Sequence, residues 1–235
     1  SGSSDPYALR RAGNGVLQIL WDRGWSLDLK TFLSEACVEW CALFPSFSIQ
    51  PETLLADLIQ LLRQRIVSQL EDDGLAADLI AAVAGDAISD DQLLADPEDV
   101  RRRVNLLKEL RASGELSAVQ AVVQRASRLA EKGDLPLDCL VPTDVVNPEL
   151  FASTSERVLF DAVAGVGTVA GNRDYGALAR ELQQATPALE AFFDGDNSVM
   201  VMCDDIAIRN NRLNLLSVLR NQALVLADFA ALQSR

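Results

Sequence analysis

Residues able to cap a helix stand directly before proline at Asp5-Pro6, Asp96-Pro97, Asn147-Pro148 and Thr186-Pro187. Each pair offers a side-chain acceptor for the unpaired N–H groups of a first helical turn, followed by a residue that needs no N–H of its own. Gln50-Pro51 is a weaker version with a poor capping residue. Beyond these marks the apolar residues recur at helical spacing, as in Leu54, Leu55, Leu58, Leu61, Leu62, Ile66 and Leu70. Gly24 and Gly74 fall where such patterns stop, the place for a left-handed C-terminal residue. The spacing predicts helices near 6–23, 27–43, 51–72, 76–84, 97–112, 115–132, 148–164, 174–185, 187–194 and 204–229. Sustained alternation at period two is missing. Ser198 to Cys203 is one short β-like run, and between two helical patterns it reads as a buried extended linker rather than a strand. The expected fold class is all-α, a helical bundle packed by apolar stripes and closed by a long final helix.

At 235 residues, 49% apolar and 23% charged, the chain suits one large or two small soluble domains. It has no apolar run of roughly 18–20 residues and no basic-then-apolar start, so nothing supports membrane insertion or secretion. A cytoplasmic protein with no membrane partner is expected. The chain begins without methionine and in mid-pattern, as a fragment of a larger protein would. The acidic, irregular stretch Gly85 to Asp96 is the expected boundary between two parts, 1–95 and 96–235. A second long connection, Gly133 to Val146, is expected on the surface of the C-terminal bundle.

The sequence contains no histidine, which removes Ser-His-Asp and Cys-His catalysis, histidine zinc sites and imidazole acid–base chemistry together. No constellation of carboxylate, lysine, cysteine or tyrosine takes their place, so the expectation is a chain that binds rather than reacts, with no catalytic residue, cofactor site or metal site. Cys37, Cys41, Cys139 and Cys203 lack paired metal-ligand spacing and read as free thiols. Gly165-Val166-Gly167-Thr168-Val169-Ala170-Gly171 has the look of a dinucleotide loop, but a helical pattern precedes it where a strand is required. It reads as a flexible interhelical turn. Glu71-Asp72-Asp73 reads as a solvated helix end.

Net charge is −13, which argues against indiscriminate nucleic-acid binding. The charge is unevenly spread: Glu52 to Asp99 carries twelve acidic residues and two basic ones, whereas Arg101 to Lys132 carries eight basic and three acidic. On the 115–132 pattern, Gln124, Arg125, Arg128 and Lys132 gather opposite the apolar stripe of Leu116, Val119, Val122, Val123, Ala126 and Leu129. Arg209 and Arg212 lie one turn apart on the last pattern, with Asn210, Asn211 and Asn214 beside them. Such groups can follow a phosphate backbone and hydrogen-bond unpaired bases. They equally suit solvated helix faces and inter-helix hydrogen bonds.

The final fifty residues carry a more specific signal: Phe192-Phe193-Asp194, then Val199-Met200-Val201-Met202, Asp204-Asp205, Arg209-Asn210-Asn211-Arg212-Leu213-Asn214-Leu215-Leu216 and Ala227-Asp228-Phe229. This order resembles the C-terminal end of the bacterial glycyl-tRNA synthetase beta subunit. Ser1-Gly2-Ser3-Ser4-Asp5-Pro6-Tyr7-Ala8-Leu9-Arg10-Arg11-Ala12 is similar to an internal segment of the same family, in the right order. Asp96-Pro97-Glu98-Asp99, Arg103-Val104-Asn105-Leu106-Leu107, Gln124-Arg125-Ala126-Ser127-Arg128-Leu129 and Asn147-Pro148-Glu149-Leu150-Phe151 also resemble it.

The resemblance implies that 96–235 is a DALR-type anticodon-binding domain, of the kind shared with arginyl-tRNA synthetases, and that 1–95 ends a helical body related to HD-type hydrolases. It implies a part in the ATP-dependent attachment of glycine to its tRNA. The active site would belong to the alpha subunit of an alpha-2 beta-2 assembly, and ATP and magnesium would be used by the holoenzyme. The implied partners are tRNA specific for glycine and the alpha subunit, with no DNA. The implied RNA-binding residues are Arg125, Arg128, Lys132, Arg209 and Arg212. The chain departs from the family pattern at Gln124, where related domains often carry lysine, and has no Asp-Ala-Leu-Arg string. Its Gly195-Asp196-Asn197-Ser198 stretch is also long. A protein-interaction domain with an acidic docking half is the reading from another class, and RNA binding separates the two.

Overall fold

A computed structural model of the chain describes residues 8–233; the expected helix start at Asp5-Pro6 lies outside them. Among the described residues there are ten α-helices and no strand, so the chain is all-α. None of these helices is long and apolar enough to cross a membrane. One compact unit ends at Asn105 and a second begins at Leu106.

The first unit contains α1 (Leu9–Arg23), α2 (Leu29–Leu43), α3 (Pro51–Asp72), α4 (Ala77–Ala84), α5 (Asp90–Leu94) and the start of α6 (Pro97–Ser113). Helix α3 is its axis, with α1, α2, α4 and α5 all packed on it. It buries Ile59, Leu62, Ile66 and Leu70, one stripe at helical spacing. Leu17, Leu20 and Trp21 of α1, and Leu29 and Cys37 of α2, are buried with them. Gly24 ends α1 and Gly74 follows α3, with φ of +60° and +75°, a left-handed backbone that glycine adopts without strain.

The Gly85 to Asp96 stretch is built into this unit. The Arg63 guanidinium donates to the carbonyl oxygens of Ala84, Gly85 and Ile88 at 3.2, 3.1 and 2.5 Å and pairs with Asp90 at 2.9 Å. Ile88, Leu93 and Leu94 are fully buried. Ser89 caps α5 by accepting from the Gln92 N–H. One arginine thus supplies donors to three carbonyls around the turn that leads into α5.

The second unit contains the end of α6, α7 (Glu115–Ala130), α8 (Thr154–Ala170), α9 (Tyr175–Phe193) and α10 (Ile206–Leu226). Helix α7 packs on α9 and α10, and α8 packs on the same two. The core draws on Val123 and Ala126 of α7, Leu159 and Val163 of α8, Leu182, Leu189 and Phe192 of α9, and Leu215, Leu216 and Leu219 of α10. Helix α10 is buried on nearly all sides and includes Asn211, Arg212, Ser217, Asn221 and Gln222 in its buried surface.

Four local expectations are corrected. Thr186-Pro187 does not open a helix: α9 runs through Pro187, and the Thr186 hydroxyl back-bonds to the Leu182 carbonyl at 3.2 Å. Asn147-Pro148 opens only a short 3-10 turn, and α8 starts later from a capping box in which Ser153 accepts from Ser155 and Glu156 accepts from the Ser153 N–H. Gly165 to Ala170 is helix rather than a flexible turn. Ser198 to Cys203 buries Val201 alone among its large side chains and leaves Met200 74% exposed, so it is a surface connection rather than a buried linker.

The two helical glycines differ in kind. A Cβ on Gly167 would lie 3.0 Å from the Leu140 carbonyl oxygen and 3.2 Å from Gln222 Nε2, whereas one on Gly165 would meet only Glu181 Oε2 at 3.8 Å. Gly165→Ala is expected to stabilise the unit by about 0.5–1 kcal/mol through helix propensity. Gly167→Ala is expected to destabilise it despite the same propensity gain. Urea midpoints of the two variants against the parent chain check this.

Candidate nucleic-acid interface

Helix α7 carries the candidate cations because its two faces separate cleanly. Leu116, Val119, Gln120, Val123, Ala126 and Ala130 are buried. Arg125 and Arg128 project from the opposite side, and Lys132 continues their row just past the helix end. Arg128 and Lys132 are exposed, and their side chains make no ion pair or hydrogen bond among the described residues. Lys132 borders a groove of about 280 Å³ in which the 132–136 segment faces Asn210, Leu213 and Asn214 of α10.

Arg125 is held differently. Its Nη1 donates to Asp194 Oδ2 at 2.6 Å, and its guanidinium lies over the Phe193 ring, 4.3 Å from the centroid. Both groups come from the end of α9. Gln124, next in sequence, faces inward: its amide donates to the carbonyls of Phe229 and Leu232 at 2.7 and 3.1 Å and ties down the C-terminal segment.

Helix α10 does not present its arginines as α7 does. Arg209 is half-buried and reaches the Cys203 carbonyl at 3.4 Å. Arg212 is buried, with Nε 2.8 Å from Glu156 Oε1, Nη2 3.2 Å from Oε2 and Nη1 3.0 Å from the Met200 carbonyl. Burial by itself would lower its pKa, but the hydrogen bonds and the charge of Glu156 outweigh that and raise it. Its guanidinium is committed to the interior. The amides beside it are committed too. Asn211 exchanges two hydrogen bonds with the Asn147 backbone, at 2.7 and 3.0 Å, and Asn214 donates to the Val145 carbonyl at 2.9 Å.

The structure therefore brings Arg125, Arg128 and Lys132 onto one face, joined at the groove by Asn210, while Arg212 lies beneath the surface. The residues that sequence reasoning overlooked are Glu156, Phe193 and Asp194 in these roles. Glu156 had a readable signal in the Ser153-x-x-Glu156 capping-box spacing. The partnership of Asp194 with Arg125, across 69 positions, had none.

These environments predict opposite costs for similar substitutions. Arg212→Ala strands a buried carboxylate and is expected to cost about 3–5 kcal/mol of stability. Arg128→Ala is expected to stay within about 0.5 kcal/mol of the parent chain. Chemical denaturation of both variants checks the pair.

Residues 1–85 match the family model described as glycyl-tRNA synthetase beta subunit. The glycine–tRNA ligase beta subunit of Picosynechococcus sp. is 42% identical over 99% of this chain, and that of Acaryochloris marina is 41% identical over 99%. The same subunit of Aeromonas hydrophila is 31% identical over 99%. The alignments cover 33%, 33% and 32% of those proteins, so the chain spans about a third of the length of the curated relatives it matches. The chain belongs to the glycyl-tRNA synthetase beta subunit family.

Proposed function

We propose that this chain is a tRNA-recognition part of a cytoplasmic glycine–tRNA ligase, with the second unit acting as its anticodon-binding domain. The observation that carries the reading is the row of Arg125, Arg128 and Lys132 on the exposed face of α7, in a chain whose net charge is −13. A small exposed cationic surface in a chain of net negative charge, with Arg128 and Lys132 free of any ion pair among the described residues, selects where phosphate can approach. The family supports tRNA as the polyanion, since the relatives are named as glycine–tRNA ligase beta subunits.

In this reading Arg128 and Lys132 contact the RNA directly, with Arg125 beside them and Arg209 at the edge. Arg212 contributes by holding α10 and the Met200 connection in place. Catalysis belongs to the alpha subunit of an alpha-2 beta-2 assembly, and the ATP and magnesium needed to attach glycine are used there. The first unit ends the helical body of the subunit. Its exposed Phe32, Leu43, Phe44 and Phe47 support a protein contact rather than an RNA one.

The test is equilibrium binding of tRNA specific for glycine to the chain over a series of salt concentrations. Alanine at Arg128 or Lys132 is expected to weaken binding and to shrink the salt dependence by about one ion each. Alanine at Arg65, on the acidic first unit, is expected to leave both unchanged. Joint replacement of Arg125, Arg128, Lys132 and Arg209 with no loss of binding by a folded protein would overturn the reading. With glycine and ATP alone, the chain is expected to show no pyrophosphate exchange above background.

A further inference from the structure

Arg125, Arg128 and Lys132 sit in two distinct chemical states, which divides their labour on the proposed RNA-binding surface. We infer that Asp194 and Phe193 position Arg125 to read a nucleobase, whereas Arg128 and Lys132 supply the phosphate contacts. This inference rests on the RNA-binding reading above and goes beyond it by assigning what each group touches.

Arg125 is held at both sides. The Phe193 ring beneath it is only 9% exposed and packs edge-on against Phe192 at 5.4 Å between centroids, so the core fixes the ring. Asp194 is fixed through its backbone, whose N–H donates to the Glu190 carbonyl at 2.8 Å at the end of α9. A guanidinium held over an aromatic face, with Nη1 bound to a carboxylate, has lost most of its freedom to follow a phosphate. It is still half exposed. The face turned away from Phe193 remains available for stacking, and the donors not engaged by Asp194 remain available for an acceptor on a base edge.

Charge points the same way. A phosphate approaching Arg125 meets the Asp194 carboxylate, itself 68% exposed and already bound to the same guanidinium through Nη1 at 2.6 Å. Two anions on one guanidinium repel each other, and Asp194 already compensates its charge. A neutral base incurs no such repulsion. Unpaired RNA bases are commonly recognised by stacking on arginine planes together with hydrogen bonds to their edges. Arg128 and Lys132 have no acidic partner among the described residues and extend from an exposed face, which suits the sequence-independent contacts that hold a phosphate backbone.

The experiment measures affinity of the chain for tRNA specific for glycine and for the same tRNA with an altered anticodon, across a salt series. The variants are Arg125→Lys, Asp194→Asn, Arg128→Ala and Lys132→Ala, each checked for an unchanged melting curve. Lysine keeps the charge of Arg125 but not its planar fork. Arg125→Lys is expected to retain the salt slope and lower discrimination between the two tRNAs by roughly fivefold or more. Asp194→Asn, by releasing Arg125, is expected to raise the salt slope by about one ion and lower discrimination. Arg128→Ala and Lys132→Ala are expected to lower the slope while leaving the ratio between the tRNAs unchanged. Full discrimination in Arg125→Lys, or no effect of Asp194→Asn on slope and ratio, would overturn the assignment while the Arg128 and Lys132 results still support RNA binding. If the parent chain binds neither tRNA, or all four variants behave as the parent, the RNA-binding reading fails with it.

Discussion

The second unit depends on supplying donors to a carboxylate that is buried from water. Glu156 is 1% exposed, and an isolated charge there would cost several kcal/mol in lost hydration. Four donors offset that cost: the N–H groups of Ala152 and Ser153 at 2.7 and 2.9 Å, and Nε and Nη2 of Arg212 at 2.8 and 3.2 Å. The site is also the N-terminus of α8, where the helix dipole favours an anion. Because the donors come from separate parts of the chain, satisfying one carboxylate fixes the start of α8 against the middle of α10. Arg212 passes the constraint on through the Met200 carbonyl, and the hydroxyls of Ser153 and Ser155 reach the Asn197 carbonyl at 2.7 and 2.6 Å. The connection from α9 to α10 is thereby held without secondary structure of its own.

The same logic accounts for the polar side chains buried along α10. The long connection between α7 and α8 has few backbone partners within itself, and its carbonyl oxygens need donors. Arg220 donates to Leu135, Asn221 to Pro136 and Cys139, Gln222 to Leu140, and Asn214 to Val145. Gln222 also reaches the Val163 carbonyl of α8 at 2.9 Å. It can do both because Gly167 lets the connection and α8 come close. Helix α10 thus serves as core and as scaffold for a loop, which is why its sequence mixes leucine with amides rather than showing a narrow apolar stripe.

What was legible in the sequence follows from the range of each interaction. Helical periodicity and terminal glycines act over a few residues, and they located α3, α4, α7 and the ends at Gly24 and Gly74 closely. Thr186-Pro187 misled because the same dipeptide serves as a cap with a first-turn proline or as a tolerated interruption inside a helix; the buried face of α9, from Leu182 through Ala185 and Leu189 to Phe192, decides for continuity. Gly165 to Gly171 misled for a related reason. Glycine propensity favours a turn, but Val163, Val166 and Ala170 are buried, and Gly167 is small because two neighbours approach it. In the candidate site, the exposure of Arg125, Arg128 and Lys132 was readable from spacing alone, but Gln124, grouped with them by the same spacing, turns inward to the Phe229 and Leu232 carbonyls. The fate of Arg212 was not, since its partner is 56 positions away and an arginine beside asparagines looks alike on an RNA surface and in a buried network.

The basic island illustrates how linear charge differs from charge in space. Its first members are largely consumed locally: Arg101 and Arg102 pair with Glu98, Arg103 is buried beside Asp99, and Arg101 also donates to the Trp21 carbonyl at 2.8 Å. These acids belong to the preceding acidic stretch, so two opposite runs in the sequence cancel across one turn of α6. Arg125 is compensated by Asp194, a residue outside the island altogether. Among the described residues, exposed cations without an ion-pair partner are then confined to a few positions, Arg128 and Lys132 among them. So short a cationic row limits where a polyanion could lie on it. For the proposed RNA contact, so few free cations favour selectivity of placement over strong attraction.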